Sequence, residues 1–154
     1  MRWRALKSIP LSGVEKRLRE FREIYGSLSY LHDMFTKGRI PTGVFQDYVE
    51  WTNMDHAFRA YQEGEDFEYL AEIDLELTAE DYRKLTPRRI ELLDHLMEGR
   101  VNSINELADN VGRDVKNVYN DLKALESLGM VSLLKEGRNT VPELLVYEIT
   151  LLLG

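Results

Sequence analysis

From Ser12 onwards apolar side chains recur at three- and four-residue steps: Val14, Leu18, Phe21, Tyr25, Leu28 and Phe35, with His32 in the slot between the last two. At about 100° per residue these positions share one stripe, and the spacing predicts a long helix with a heptad seam. Gly26 weakens that helix, and Gly38 is placed to end it. Pro41 then restarts a helix where a missing N–H costs nothing, and Val44, Tyr48, Trp51, Phe58 and Tyr61 continue an aromatic stripe. The pattern predicts a helical hairpin from Ser12 onwards, joined near residues 37–40, which together with the arm before it makes up residues 1–63. Two helices cannot bury both apolar faces against one another, so the surplus must pack on the following domain or on a second copy of the chain. The expected partner is a second copy. Homodimerisation would then use Leu18, Phe21, Tyr25, Leu28, Tyr48 and Trp51. Ahead of the hairpin, residues 2–11 read as a basic arm ending near Pro10, with Arg2 and Arg4 able to reach a minor groove or simply to remain disordered.

Glu63-Gly64-Glu65-Asp66 breaks the second helix and opens an acidic connecting segment, residues 64–84. Within it Ile73, Leu75 and Leu77 alternate with Glu72, Asp74 and Glu76, the period of two of a short strand. Thr78 with Asp81 signals a capped short helix, and Thr86-Pro87 begins another with Ile90, Leu93, Leu96 and Met97 as its expected buried stripe. Ser103 followed by Glu106 is a capping box for a third helix carrying Ile104, Leu107, Ala108 and Val111. Gly112 supplies a turn and Asp114 a cap for a fourth helix, residues 114–128, with Val115, Val118, Leu122 and Leu125 on its buried side. After Gly129 the period changes. Residues 130–134 read as a strand, 135–140 as a polar loop, and 141–153 as a second strand region interrupted near Pro142. Three helices followed by strand, loop and strand make a winged helix-turn-helix over residues 85–154. The fold class is therefore mainly α with a small β-wing, α+β.

Charge sharpens this picture at one place. The opposite side of the 114–128 helix collects Arg113, Lys116, Asn117, Asn120 and Lys123, with Tyr119 at the edge. Arg and Lys neutralise phosphates or reach guanine acceptors, Asn pairs with adenine, and Tyr contacts phosphate or sugar, so this is the chemistry of a recognition helix in a major groove. Ser103 at the preceding helix start joins the candidate DNA contacts, as do Lys135 and Arg138 in the wing loop, with Asn139 beside them. The alternative for the same face is an ordinary solvated or protein-binding surface.

The chain has 154 residues and a formal net charge of −7, which argues against a generic nucleic-acid coat but not against local contact with phosphates. It contains no cysteine, which removes disulfides, thiolate metal sites and cysteine nucleophiles and is compatible with the cytoplasm. His32, His56 and His95 show no metal-ligand spacing. No apolar run is long enough to cross a bilayer, and no secretory signal is evident. There is no glycine-rich phosphate cradle, no GxSxG and no nucleophile–base pair, so neither an enzyme nor a cofactor is expected.

The run LTPRRIELLDHLMEG…SINELADNVGRDVKNVYNDLKALESLGMV resembles the winged helix-turn-helix module of archaeal DNA-binding regulators related in fold to the MarR group. Residues 85–87, 103–108 and 112–118 carry the resemblance, and EGEDFEYLAEIDLELTAEDYRKL resembles the lead-in segment of those proteins. It covers about the last ninety residues. The resemblance implies transcriptional regulation on double-stranded DNA, with Arg113, Lys116, Asn117 and Asn120 at the DNA. The wing departs from the family pattern, since Val141-Pro142 is followed by Glu143-Leu144-Leu145 rather than by a Val-Pro-Tyr type turn. A second expectation belongs to another class: a winged-helix protein-interaction module that does not bind DNA directly, favoured by the excess of acidic over basic residues in 85–154.

Overall fold

The structure, a computed structural model, describes residues 2–153. It opens with strand β1 (Arg2–Ser8), continues through helices α1 (Leu11–Tyr25), α2 (Leu28–Thr36) and α3 (Thr42–Gln62), and returns as strand β2 (Leu70–Leu75). Helices α4 (Ala79–Arg83), α5 (Pro87–Glu98), α6 (Ile104–Val111) and α7 (Val115–Ser127) follow. Strands β3 (Val131–Glu136), β4 (Asn139–Leu144) and β5 (Val146–Leu152) close the sequence. These elements form two compact units, Ile9–Leu70 and Met1–Ser8 with Ala71–Gly154. The boundary expected at residue 63 thus falls later, and the first strand belongs with the C-terminal unit.

In the helical unit the core is Val14, Leu18, Phe21, Leu31, Trp51 and Met54. Phe21 stacks on Trp51 at 5.4 Å, and the Arg17 guanidinium lies 4.3 Å over the Phe21 ring while its Nε donates to Glu50 at 3.0 Å. Hydrogen bonding to Glu50, opposed by burial, raises the Arg17 pKa further above its ordinary value. The Tyr25 hydroxyl donates to Asp47 at 2.6 Å. The continuous seam expected over Val14 to Phe35 is broken, because Gly26 adopts φ +86° and Ser27 caps a new helix by accepting from the Tyr30 N–H at 3.2 Å. A left-handed glycine next to a strong N-cap ends one helix and starts another at little cost. The hairpin is therefore three helices, and after the break Leu31 is buried while Phe35 is exposed.

The expected dimerisation residues are also placed differently. Leu18, Phe21 and Trp51 are fully or almost fully buried in this unit's own core, and Tyr25, Leu28 and Tyr48 pack partly against it. Three of the six are thus withdrawn from any surface that a second copy could touch.

The other unit holds the α5–α6–α7 arrangement with the β3–β4 hairpin after it. Leu92, Leu107, Val118, Leu122, Leu125 and Met130 are completely buried there, each large aliphatic side chain contributing about 2 kcal/mol on burial. Within α5 the buried pair is Leu92 and Leu96, with Leu93 alongside, while Ile90 and Met97 are largely exposed. The helix is apolar on so many sides that periodicity alone selects the neighbouring stripe. Val115, expected on the buried side of α7, is likewise exposed.

Residues 2–8 are not an arm. The strand β1 lies between β2 and β5 in a three-stranded sheet, pairing antiparallel with β5 from Arg2 opposite Leu152 to Leu6 opposite Glu148. Trp3 and Ala5 are buried on one face, while Arg2 and Arg4 alternate with them on the other. The strand expected across residues 141–153 is two strands. Leu145 divides them, its N–H donating to the Met130 carbonyl at 2.9 Å and its carbonyl accepting from the Ser8 N–H at 2.8 Å. One half completes the wing and the other completes the sheet.

Candidate nucleic-acid interface

The turn before α7 is built as its sequence demands. Ser103 Oγ accepts from the Glu106 N–H at 3.0 Å and starts α6, while the Glu106 carboxylate accepts from the Asn102 N–H at 2.7 Å rather than from Ser103. Gly112 ends α6 at φ +65°, with the Gly112 N–H bonded to the Asp109 carbonyl and the Arg113 N–H to the Ala108 carbonyl at 3.0 Å. That pair of bonds is a Schellman closure, and it requires the left-handed residue. A Cβ added at Gly112 meets nothing within 4 Å, so Gly112→Ala isolates the backbone cost. It is expected to destabilise the unit by about 1 kcal/mol, read as a lower thermal midpoint with unchanged helix content. Asp114 occupies the N-cap position of α7 but makes no side-chain cap hydrogen bond.

Along α7 the side chains of Lys116, Asn117, Tyr119, Asn120 and Lys123 are exposed. Lys123 donates to Glu126 at 2.9 Å, and that hydrogen bond raises its pKa. Among the described residues Lys116 and Arg138 have no carboxylate partner, nor do Arg88 and Lys135. Two open grooves flank the exposed face of α7. One of about 580 Å³ runs between the starts of α6 and α7 and the wing, touching Ser103, Lys116, Tyr119 and Arg138. The other, of about 540 Å³, lies against the start of α5 and touches Arg88, Asn117 and Asn120.

Arg113 departs from its expected role. Its guanidinium turns inward, with the side chain 12% exposed, and Nη2 donates to Asp121 at 2.5 Å. Arg89 Nε reaches the other carboxylate oxygen at 3.0 Å. The carboxylate that α7 carries near this face is therefore neutralised from two sides. Burial pushes the Asp121 carboxyl up, but hydrogen bonds and charge from Arg113 and Arg89 more than reverse this and hold it below its ordinary value.

The wing is tighter than its sequence suggests. Lys135 pairs with Thr140 and Glu136 with Asn139, so the turn is only Gly137 and Arg138, with Gly137 at φ +63°. Arg138 and Asn139 stand exposed at the tip, while Arg100 holds the Glu136 carboxylate in an ion pair. Arg88 was not among the residues singled out from sequence. The available signal was Thr86-Pro87-Arg88-Arg89, two cations in the first turn of a helix, where the macrodipole disfavours them and a phosphate would welcome them. Among the described residues no group of three or more His, Cys, Asp or Glu is arranged to hold a metal ion, and no helix is long and apolar enough to cross a membrane.

A family model described as HVO_A0114 matches residues 84–151. No curated protein matches the chain. Among solved structures the chain is similar to the homodimeric winged helix-turn-helix DNA-binding domain of Mb0332 from Mycobacterium bovis, described as a possible ArsR-family transcriptional regulator. That similarity has 27% identity and a TM-score of 0.40, and covers 43% of this chain and 61% of that one. A second M. bovis structure, described as a possible transcriptional regulatory protein, matches at 23% identity with a TM-score of 0.38, over 42% of this chain and 74% of that one.

Proposed function

We propose that this protein is a sequence-specific, double-stranded-DNA-binding transcriptional regulator that acts as a homodimer, of the MarR-related kind that residues 85–118 resemble. The observation that carries the reading is the exposed face of α7, where Lys116, Asn117, Tyr119 and Asn120 stand together. In this reading α7 enters the major groove, Asn117 and Asn120 read base edges, and Lys116 and Arg88 hold phosphates on either side. Arg138 at the wing tip follows the adjacent backbone, and Ser103 and Lys135 supply secondary polar contacts. Arg113 positions α7 instead of touching DNA.

The test is titration of the protein with its own upstream DNA and with an unrelated duplex across salt concentration. Lys116→Ala and Arg138→Ala should each weaken binding to both duplexes and reduce the slope of log affinity against log salt by about one unit. Asn120→Ala should instead erode the preference for the specific duplex by about 1–3 kcal/mol. Equal affinity of the wild type for both duplexes would remove sequence specificity from the reading.

A second reading is a winged-helix module that binds a protein. It is favoured by an exposed aromatic cluster in the helical unit, where Phe35 stacks on Phe45 at 5.8 Å and on Tyr48 at 5.3 Å, with the Tyr48 hydroxyl 2.7 Å from His32 Nδ1. Absence of binding to either duplex at low salt would make it the leading one.

A further inference from the structure

The three-stranded sheet has two edges of opposite chemistry. At one edge, β2 and the residue after it carry Glu72, Asp74 and Glu76 at alternate positions, all exposed. Two copies of such a strand would set rows of carboxylates against each other, so this edge is guarded against pairing. The other edge, β5, is a seven-residue strand, VYEITLL, with one charge, no Lys, no Pro and no Gly. It is rich in β-branched and aromatic residues, and Tyr147 and Leu151 are 43% and 38% exposed. Among the described residues no backbone hydrogen bond other than those with β1 reaches residues 146–152. A strand of this kind is a template for another strand.

We propose that β5 is the homodimer interface and that two copies pair antiparallel across a two-fold axis at Ile149, joining their sheets into one of six strands. The inference rests on the homodimeric part of the functional reading and not on DNA contact. The register follows from which faces the side chains occupy. In β5, Ile149 and Leu151 lie opposite Ala5 and Trp3 on the buried side, while Glu148 and Thr150 lie opposite Leu6 and Arg4 on the outer side. A two-fold at Ile149 sets Tyr147 of one copy against Leu151 of the other, twice, so each half-exposed apolar group covers its counterpart. On the outer face it sets Glu148 against Thr150 of the other copy. Because Thr150 is itself opposite Arg4, each cross-sheet row then reads Arg4, Thr150, partner Glu148. Among the described residues neither Arg4 nor Glu148 has an oppositely charged partner within the chain. Pairing brings the two into the same row and puts no like charges opposite each other. The β2 edge offers no such register.

Sedimentation equilibrium of the full chain from about 1 to 200 µM is the test, since an interface of one strand pair belongs with the smaller, weaker class. A reversible monomer–dimer equilibrium is expected. Tyr147→Lys and Leu151→Glu should each raise the dissociation constant about tenfold or more, through an unpaired charge set against an apolar group. The two together place opposite charges across both Tyr147–Leu151 contacts and should restore the dimer. Circular dichroism identifies a variant that fails to fold, and as an independent check Ile149→Cys, the sole thiol in a cysteine-free chain, should cross-link the dimer on oxidation. A monomer at the highest concentration, a dimer indifferent to the single substitutions, or a double variant weaker than either single one would overturn the pairing. A monomer that still binds duplex DNA would sink this interface and leave the DNA reading standing; a dimer that binds no duplex would do the reverse.

Discussion

Asp121→Ala is expected to lower the unfolding free energy of the winged-helix unit by about 3 kcal/mol, among the largest effects available from a single polar side chain here. The carboxylate joins Arg89 from α5 to Arg113 from the turn before α7, and all three side chains are at least three-quarters buried. Two guanidiniums would lose their common anion. Arg89 keeps a hydrogen bond from Nη1 to the Lys84 carbonyl at 2.9 Å, but Arg113 already has Nε and Nη1 buried without a hydrogen-bond partner, so its loss of Asp121 leaves it with nothing. Asp121→Asn keeps the volume and an acceptor and should cost less than Ala. The effect has a defined pH dependence. Because the folded carboxyl titrates below its ordinary value, its contribution is complete above about pH 5, where the unfolded carboxyl is also ionised, and begins to fall as pH drops through that ordinary value. It disappears as pH falls through the lower, folded value. Urea unfolding of wild type and Asp121→Asn should therefore differ at pH 7 and converge in acid. A loss under about 0.5 kcal/mol for Asp121→Ala at neutral pH would show that the two arginines find other partners.

The same ion-pair cluster marks where sequence reading stops. The starts of α5, α6 and α7 were legible because each is set by local chemistry: Thr86-Pro87, Ser103 with Glu106, and Gly112. So was the wing as a hairpin, through the change of period after Gly129. Arg113 was not, because whether a cation at a helix start faces solvent depends on Arg89 and Asp121, contributed by two different helices. The strand β1 was missed for a related reason. Its alternation of Arg2, Trp3, Arg4 and Ala5 is short, and its partners in β5 lie at the far end of the sequence. Trp3, Leu6 and Ile9 offer a competing three-residue spacing that fits an irregular arm equally well. In the helical unit the stripes hold for Val14, Leu18, Phe21 and Trp51, but after the break at Gly26 Leu31 and Met54 also enter the core while Phe35 and Tyr61 stay exposed. Leu18, Phe21 and Trp51 are needed where they are, yet a stripe cannot say whether it faces another helix of the same chain or a second copy.

Trp51→Ala decides between those two fates. As a core residue, 2% exposed and stacked on Phe21, it should cost the helical unit about 3–5 kcal/mol, the transfer term plus the cavity left between α1 and α3. As an interface residue it would weaken association and leave the unfolding free energy at infinite dilution almost unchanged. Calorimetry at two protein concentrations separates the cases. The two units have separate cores, so a second consequence follows. With the helical unit unfolded, residues 9–70 become a flexible loop whose ends are held by β1 and β2 in one sheet. Closing a loop of that length costs about 3–4 kcal/mol by (3/2)RT ln n, a cost the folded helical unit removes by fixing its own ends. Trp51→Ala is therefore expected to shift the transition of the helical unit strongly and that of the winged-helix unit by a smaller amount in the same direction. The coupling would be entropic, carried by the connectivity of the chain, and cutting the chain between residues 9 and 70 should uncouple the two transitions. A winged-helix transition that does not move when the helical unit is destabilised would show that β1 contributes little to its unit.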